Sequence, residues 1–157
     1  MSSRLIALKV RRRSVATAVF SGKNLDYAVM LHLSDDPEAA TGAAARFLAR
    51  TLEDLKPTSA ALGIGQTEPG ERVANLHALI ETMLAAEGIP ITRVEDKVLL
   101  ESYAVPKLKN KDALRPIVAS FWPHLGPRQL AAFEAVALGF HVQTEHLLSQ
   151  SLNITPP

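Results

Sequence analysis

Three apolar runs separated by turn chemistry between Leu5 and Leu33 constrain the fold of this chain more than any other feature. Leu5-Ile6-Ala7-Leu8 is the first. Arg11-Arg12-Arg13 breaks it, and Ser14 to Phe20 resumes with small and β-branched residues. Ser21-Gly22-Lys23-Asn24 is a turn signal, and Leu25 to Leu33 is the third run. Short apolar runs with turns between them predict antiparallel neighbours in one sheet.

Crossover units follow. Ser34-Asp35-Asp36-Pro37-Glu38 carries a capping Asp, a first-turn Pro and an acid, which together start a helix. Ala44, Phe47, Leu48, Leu52 and Leu55 share its apolar face, and Lys56-Pro57 ends it. Ser59 to Ile64 is apolar and bounded by Pro57 and Gly65, as expected of a strand covered on both faces. Pro69 to Glu87 predicts a second helix, with Gly88 at its C-terminal cap. Ile89-Pro90-Ile91 predicts a short strand, and Glu95-Asp96 opens a short helix. After a basic loop from Val105 to Lys111, Pro116 either kinks a helix ending near Trp122 or marks a start near Arg115. Gly126-Pro127 begins the last helix, with Leu130, Phe133, Val136, Ala137 and Phe140 inward. A frayed tail is expected from about Ser149 to Pro157. The expected whole is one α/β domain over residues 1–157, with a mixed sheet of three antiparallel strands and then parallel strands, flanked by helices.

A net charge of +1 names no partner, but its distribution is uneven. Arg4, Lys9, Arg11, Arg12, Arg13 and Lys23 fall in a segment without an acid. Lys107, Lys109, Lys111, Arg115 and Arg128 form a second basic segment against Asp112 alone. Two such segments on one face would form an electrostatic footprint for nucleic acid, read through Arg11, Arg12, Arg13, Lys107, Lys109 and Lys111. The plain alternative is a solvated turn and loop. The chain has no cysteine, which excludes disulfides, thiolate metal sites and thiol catalysis. No long apolar run or leader pattern is present, so the expectation is a cytoplasmic protein with no membrane partner.

Other motifs favour structural readings. Gly63, Gly65 and Gly70 miss the nucleotide fingerprint, because Glu68 stands where its third glycine belongs. His141, Glu145 and His146 miss both zinc-protease spacings by one residue. Nothing places a base beside Ser102. Phe121 and Trp122 are adjacent, so one of them should face outward or into a subunit contact.

The element order, together with Ala86-Glu87-Gly88-Ile89-Pro90-Ile91 and Glu134-Ala135-Val136-Ala137-Leu138-Gly139, resembles the RuvC-type Holliday-junction resolvases of the ribonuclease H-like superfamily. The resemblance spans roughly residues 4 to 146. It implies a homodimer acting on branched DNA, with two divalent metals held by four carboxylates. Two metals about 4 Å apart activate the attacking water and stabilise the leaving oxygen. Carried over by position, the four acids fall on Lys9, Gly63, Ala131 and Glu134, so one carboxylate survives. The Pro-Gly expected after the first acid falls on Val10-Arg11. A lysine at position 9 can fill the place of a cation and pair with Glu134.

The leading expectation is therefore a non-catalytic relative with no metal or other cofactor, binding branched or duplex DNA or RNA. One alternative is a Mg²⁺-dependent nuclease with a rearranged site, using Glu134 with Glu68, Glu95 or Asp96. Another is a protein-interaction module that binds no nucleic acid.

Overall fold

The computed structural model describes residues 3–65, 69–105 and 111–153. Its centre is a five-stranded sheet: β1 (Arg4–Arg11), β2 (Ser14–Ser21), β3 (Asn24–His32), β4 (Ser59–Ile64) and β5 (Ile91–Glu95). The spatial order is β3-β2-β1-β4-β5. The first three strands are antiparallel, while β4 and β5 run parallel to β1. The expected mixed sheet is present.

The arginine run interrupts β1 less than its composition suggests. Arg11 still pairs with Ser14, so β1 extends through Lys9-Val10-Arg11 and the turn is only Arg12-Arg13. Alternation along β1 then assigns its faces. Ile6, Leu8 and Val10 join one buried cluster; Leu5 and Ala7 join the other.

Helices α1 (Pro37–Leu55) and α2 (Glu71–Ala86) cover the first face. Asp36 caps α1, its carboxylate accepting from the Ala39 N–H at 3.0 Å. The start of α2 is Glu71 rather than Pro69, with Gly70 at its N-cap. Fully burying each Leu or Ile of these cores contributes roughly 1.5–3 kcal/mol.

The opposite face holds α3 (Asp96–Ser102), α4 (Leu114–Phe121) and α6 (Phe133–Asn153), with the short α5 (Pro127–Leu130) beside β3. Pro116 is the third residue of α4, where its missing N–H has no partner to lose. The helix starts at Leu114, in line with the expected start near Arg115. The expected last helix is divided at Ala131-Ala132 into α5 and α6. A Cβ on Gly139 would lie 2.4 Å from the Phe20 ring, so glycine sets the close approach of α6 to the sheet.

Two expected boundaries are corrected. β5 begins at Ile91, because Pro90 cannot donate to a ladder; its carbonyl accepts from Ala60 N–H at 2.9 Å instead. α6 is helical through Asn153, past the expected start of the tail at Ser149, with residues 145–150 exposed; the remainder of that tail, residues 154–157, lies outside the described residues. Among the described residues, no helix is long and apolar enough to cross a membrane.

Candidate functional site

The C-terminal ends of β1, β4 and β5 form one rim, which the start of α6 overhangs. Lys9 and Arg11 share the α6-facing side of β1, two residues apart. Gly63 follows the last β1–β4 register pair, Leu8 with Leu62, and therefore sits beside Lys9. Asp96 begins α3 immediately after β5, and Glu134 is the second residue of α6.

Lys9 is only 6% exposed, and its Nζ lies 2.8 Å from Asp96 Oδ1. The partner expected for it was Glu134. Glu134 is also buried, but its ion pair is with Arg11. Geometry explains the exchange. The lysine side chain passes over Gly63 toward the end of β5, while Arg11, farther along β1, reaches Glu134. Both acids lie in the first turns of helices, where the helix dipole also favours negative charge.

Gly63 has a local reason to lack a side chain. A Cβ there would stand 2.8 Å from Lys9 Cδ and 3.6 Å from Leu138 Cδ2. The lysine at one aligned position and the missing carboxylate at the next are thus one steric arrangement. Ala131, the third position lacking an acid, lies between α5 and α6 against β3. Glu95 occupies the N-cap position of α3 without a side-chain capping hydrogen bond and is exposed, and Glu68 lies outside the described residues.

Each of the two buried carboxylates at this rim, Asp96 and Glu134, has a cationic side-chain partner. Among the described residues, no group of three or more His, Cys, Asp or Glu side chains is arranged to hold a metal ion. A cleft of about 380 Å³ opens beside Lys9 and Arg11 and is bordered by His77 and Glu81. Burial lowers the His77 pKa from its ordinary value, and the Lys9 charge lowers it further.

The basic residues separate. Arg11 is committed to Glu134, and Arg13 pairs with Asp35 at 3.3 Å, whereas Arg12 is exposed with no ion pair among the described residues. Lys107 and Lys109 lie outside the described residues, while Lys111 opens a 3₁₀ turn before α4.

The remaining motifs are structural in character. Ser102 donates its hydroxyl to the Leu99 carbonyl at 2.6 Å within α3. The His141 pKa is lowered by burial, against an opposing effect of Glu145. Trp122 packs edge-on against Phe20 and Phe140, leaving Phe121 as the outward ring at 53% exposure.

Sheet order, crossover helices and a terminal helix across the rim define a ribonuclease H-like fold. Its arrangement is that of the RuvC-type resolvases. The Thermus thermophilus RuvC structure matches with a TM-score of 0.75 at 12% identity, over 92% of this chain and 96% of that one. The yeast mitochondrial Holliday junction resolvase matches at 0.64 and 10% identity, over 98% and 87%. The fowlpox virus Holliday junction resolvase matches at 0.60 and 12% identity, over 90% and 99%. No protein-family model matches the chain, and no curated protein matches it significantly in sequence.

Proposed function

We propose that this protein is a non-catalytic counterpart of the RuvC-type resolvases that binds branched or duplex nucleic acid without cutting it. The carrying observation is the buried Lys9–Asp96 pair, 2.8 Å apart, at the rim position where the family places its first metal-binding acid. The Arg11–Glu134 pair neutralises the one carboxylate that survives at an aligned position. A protein ammonium and a guanidinium then balance the two buried carboxylates where the family uses divalent cations, so this rim needs no metal to neutralise its acids. Support for a nucleic-acid partner comes from likeness of fold: Thermus thermophilus RuvC in complex with a Holliday junction substrate matches with a TM-score of 0.73. The reading includes a cytoplasmic homodimer, since a two-fold pair suits a two-fold junction. Exposed Phe121 and Leu148 offer apolar surface for that contact.

Two buried carboxylates at one rim favour a second reading, a nuclease using Asp96 with Glu134. For it to hold, metal must displace both cationic partners.

The test is anisotropy of a labelled four-way junction and a matched duplex at two salt concentrations, with and without Mg²⁺, alongside a cleavage assay. Salt-sensitive, magnesium-independent binding with an intact substrate is expected. Mg²⁺- or Mn²⁺-dependent cleavage lost in Glu134→Gln would establish the nuclease instead. A salt-independent dimer indifferent to DNA and RNA would leave an interaction module.

A further inference from the structure

On the same face of the sheet as α6 but at its β3 edge, two strands from Lys9, a separate concavity of about 500 Å³ lies between β3 and α5. Val29, Met30, His32, Pro127, Arg128 and Ala131 line it. None of these is an acid. Arg128 and His32 are exposed and form no ion pair among the described residues. The cleft beside Lys9, by contrast, includes Glu81 and draws its cations from pairs already formed.

The register brings the arginine turn alongside. Arg11 pairs with Ser14, and Ser14 pairs with His32. The Leu33 N–H donates to the Arg13 carbonyl at 2.8 Å, tying the exit of β3 to that turn. Asp35 takes Arg13, leaving Arg12 as the uncommitted guanidinium at the turn. Arg12 and Arg128 therefore flank the end of β3 where His32 sits. Their planar donor forks suit phosphate oxygens, while Met30, on the same face of β3 as His32, provides an apolar surface on which a sugar can rest.

We infer that the concavity between β3 and α5, with Arg128, His32 and the neighbouring Arg12, is a sugar-phosphate backbone subsite for one arm of a bound nucleic acid. The inference rests on the nucleic-acid reading above and locates it away from the Lys9 rim. Contacts there are to the backbone, so the subsite grips DNA or RNA arms with little regard to base sequence.

The experiment measures the affinity of full-length protein for a labelled duplex and a four-way junction across a salt series. The variants are Arg12→Gln, His32→Gln, Arg128→Gln and the double Arg12→Gln/Arg128→Gln. Arg50→Gln, exposed on α1 across the sheet, is the control. These are surface changes, and circular dichroism verifies that each variant is folded. Each arginine removed should lower the slope of log affinity against log salt by about 0.9 for one lost phosphate contact. The double variant should lose about twice that, and Arg50→Gln nothing. Wild-type binding with the slope unchanged in Arg12→Gln and Arg128→Gln overturns the subsite while leaving the proposed function standing. Absence of nucleic-acid binding by the wild type overturns both.

Discussion

Lys9 Nζ and Asp96 Oδ1 meet at 2.8 Å with their side chains only 7% and 4% exposed. A buried pair contributes little net stability, because desolvating both charges offsets their attraction. Removing one partner is costly, because the other charge stays buried. Lys9→Met should therefore destabilise the fold by about 3–5 kcal/mol, and Lys9→Met with Asp96→Leu should recover most of that loss. Urea denaturation of the wild type, Lys9→Met and the double variant checks this. A double variant as unstable as the single would show that the two side chains are not energetically coupled.

Gly63 supplies a second coupling. A Cβ there would meet Lys9 Cδ at 2.8 Å, closer than ordinary packing allows. Gly63→Ala should cost about 1–3 kcal/mol in the wild type. In a Lys9→Ala, Asp96→Leu background the obstructing methylene is gone, and the cost should fall by about 1 kcal/mol or more. Equal costs in both backgrounds would mean that Gly63 answers to Leu138, 3.6 Å from the same Cβ, rather than to the lysine.

His77 reports the Lys9 charge through a proton. Its pKa is lowered first by burial and then by Lys9, so the folded protein holds the imidazole neutral where the unfolded chain protonates. Its contribution to stability is complete above the unfolded value of about 6.5 and is lost as pH falls from there toward the folded value. An NMR titration of His77 should give a midpoint below 6.5 in the wild type. Lys9→Met should move that midpoint upward without restoring it fully, because burial is the larger cause. An unmoved midpoint would place the Lys9 charge elsewhere than beside the cleft.

The sheet was legible because its signals are local. Turn chemistry at Ser21-Gly22-Lys23-Asn24 and the Asp36-Pro37 helix start each act within a few residues. The extent of β1 was not, because strand pairing overrode the apparent break at Arg11. The site was half legible. Lys9, Gly63 and Glu134 meet on one rim as aligned, yet Lys9 chose Asp96, which sequence order presented only as one of several acids following strands. Parity offered a usable signal: residues 9 and 11 share a face of β1, so two cations had to divide the available acids. Arg128 and His32 carried no motif, because only the packing of α5 against β3 makes them neighbours.

Tyr103 tests how firmly α3 locks onto α6. Its hydroxyl donates to the Ala137 carbonyl at 2.7 Å, and burial raises its pKa well above the ordinary value. The folded state therefore keeps a proton that the unfolded chain releases above about pH 10. Where the unfolded state binds fewer protons, stability falls as pH rises, so Tyr103 should drive an alkaline loss that begins near that value. Tyr103→Phe should cost about 1 kcal/mol at neutral pH through the lost hydrogen bond and the stranded carbonyl. It should also flatten the alkaline decline. Part of the decline should persist, because burial raises the Tyr27 pKa as well. Denaturation curves at neutral pH and above about pH 10 separate the two effects. Parallel pH profiles for wild type and Tyr103→Phe would mean that the hydroxyl ionises without opening the α3–α6 contact.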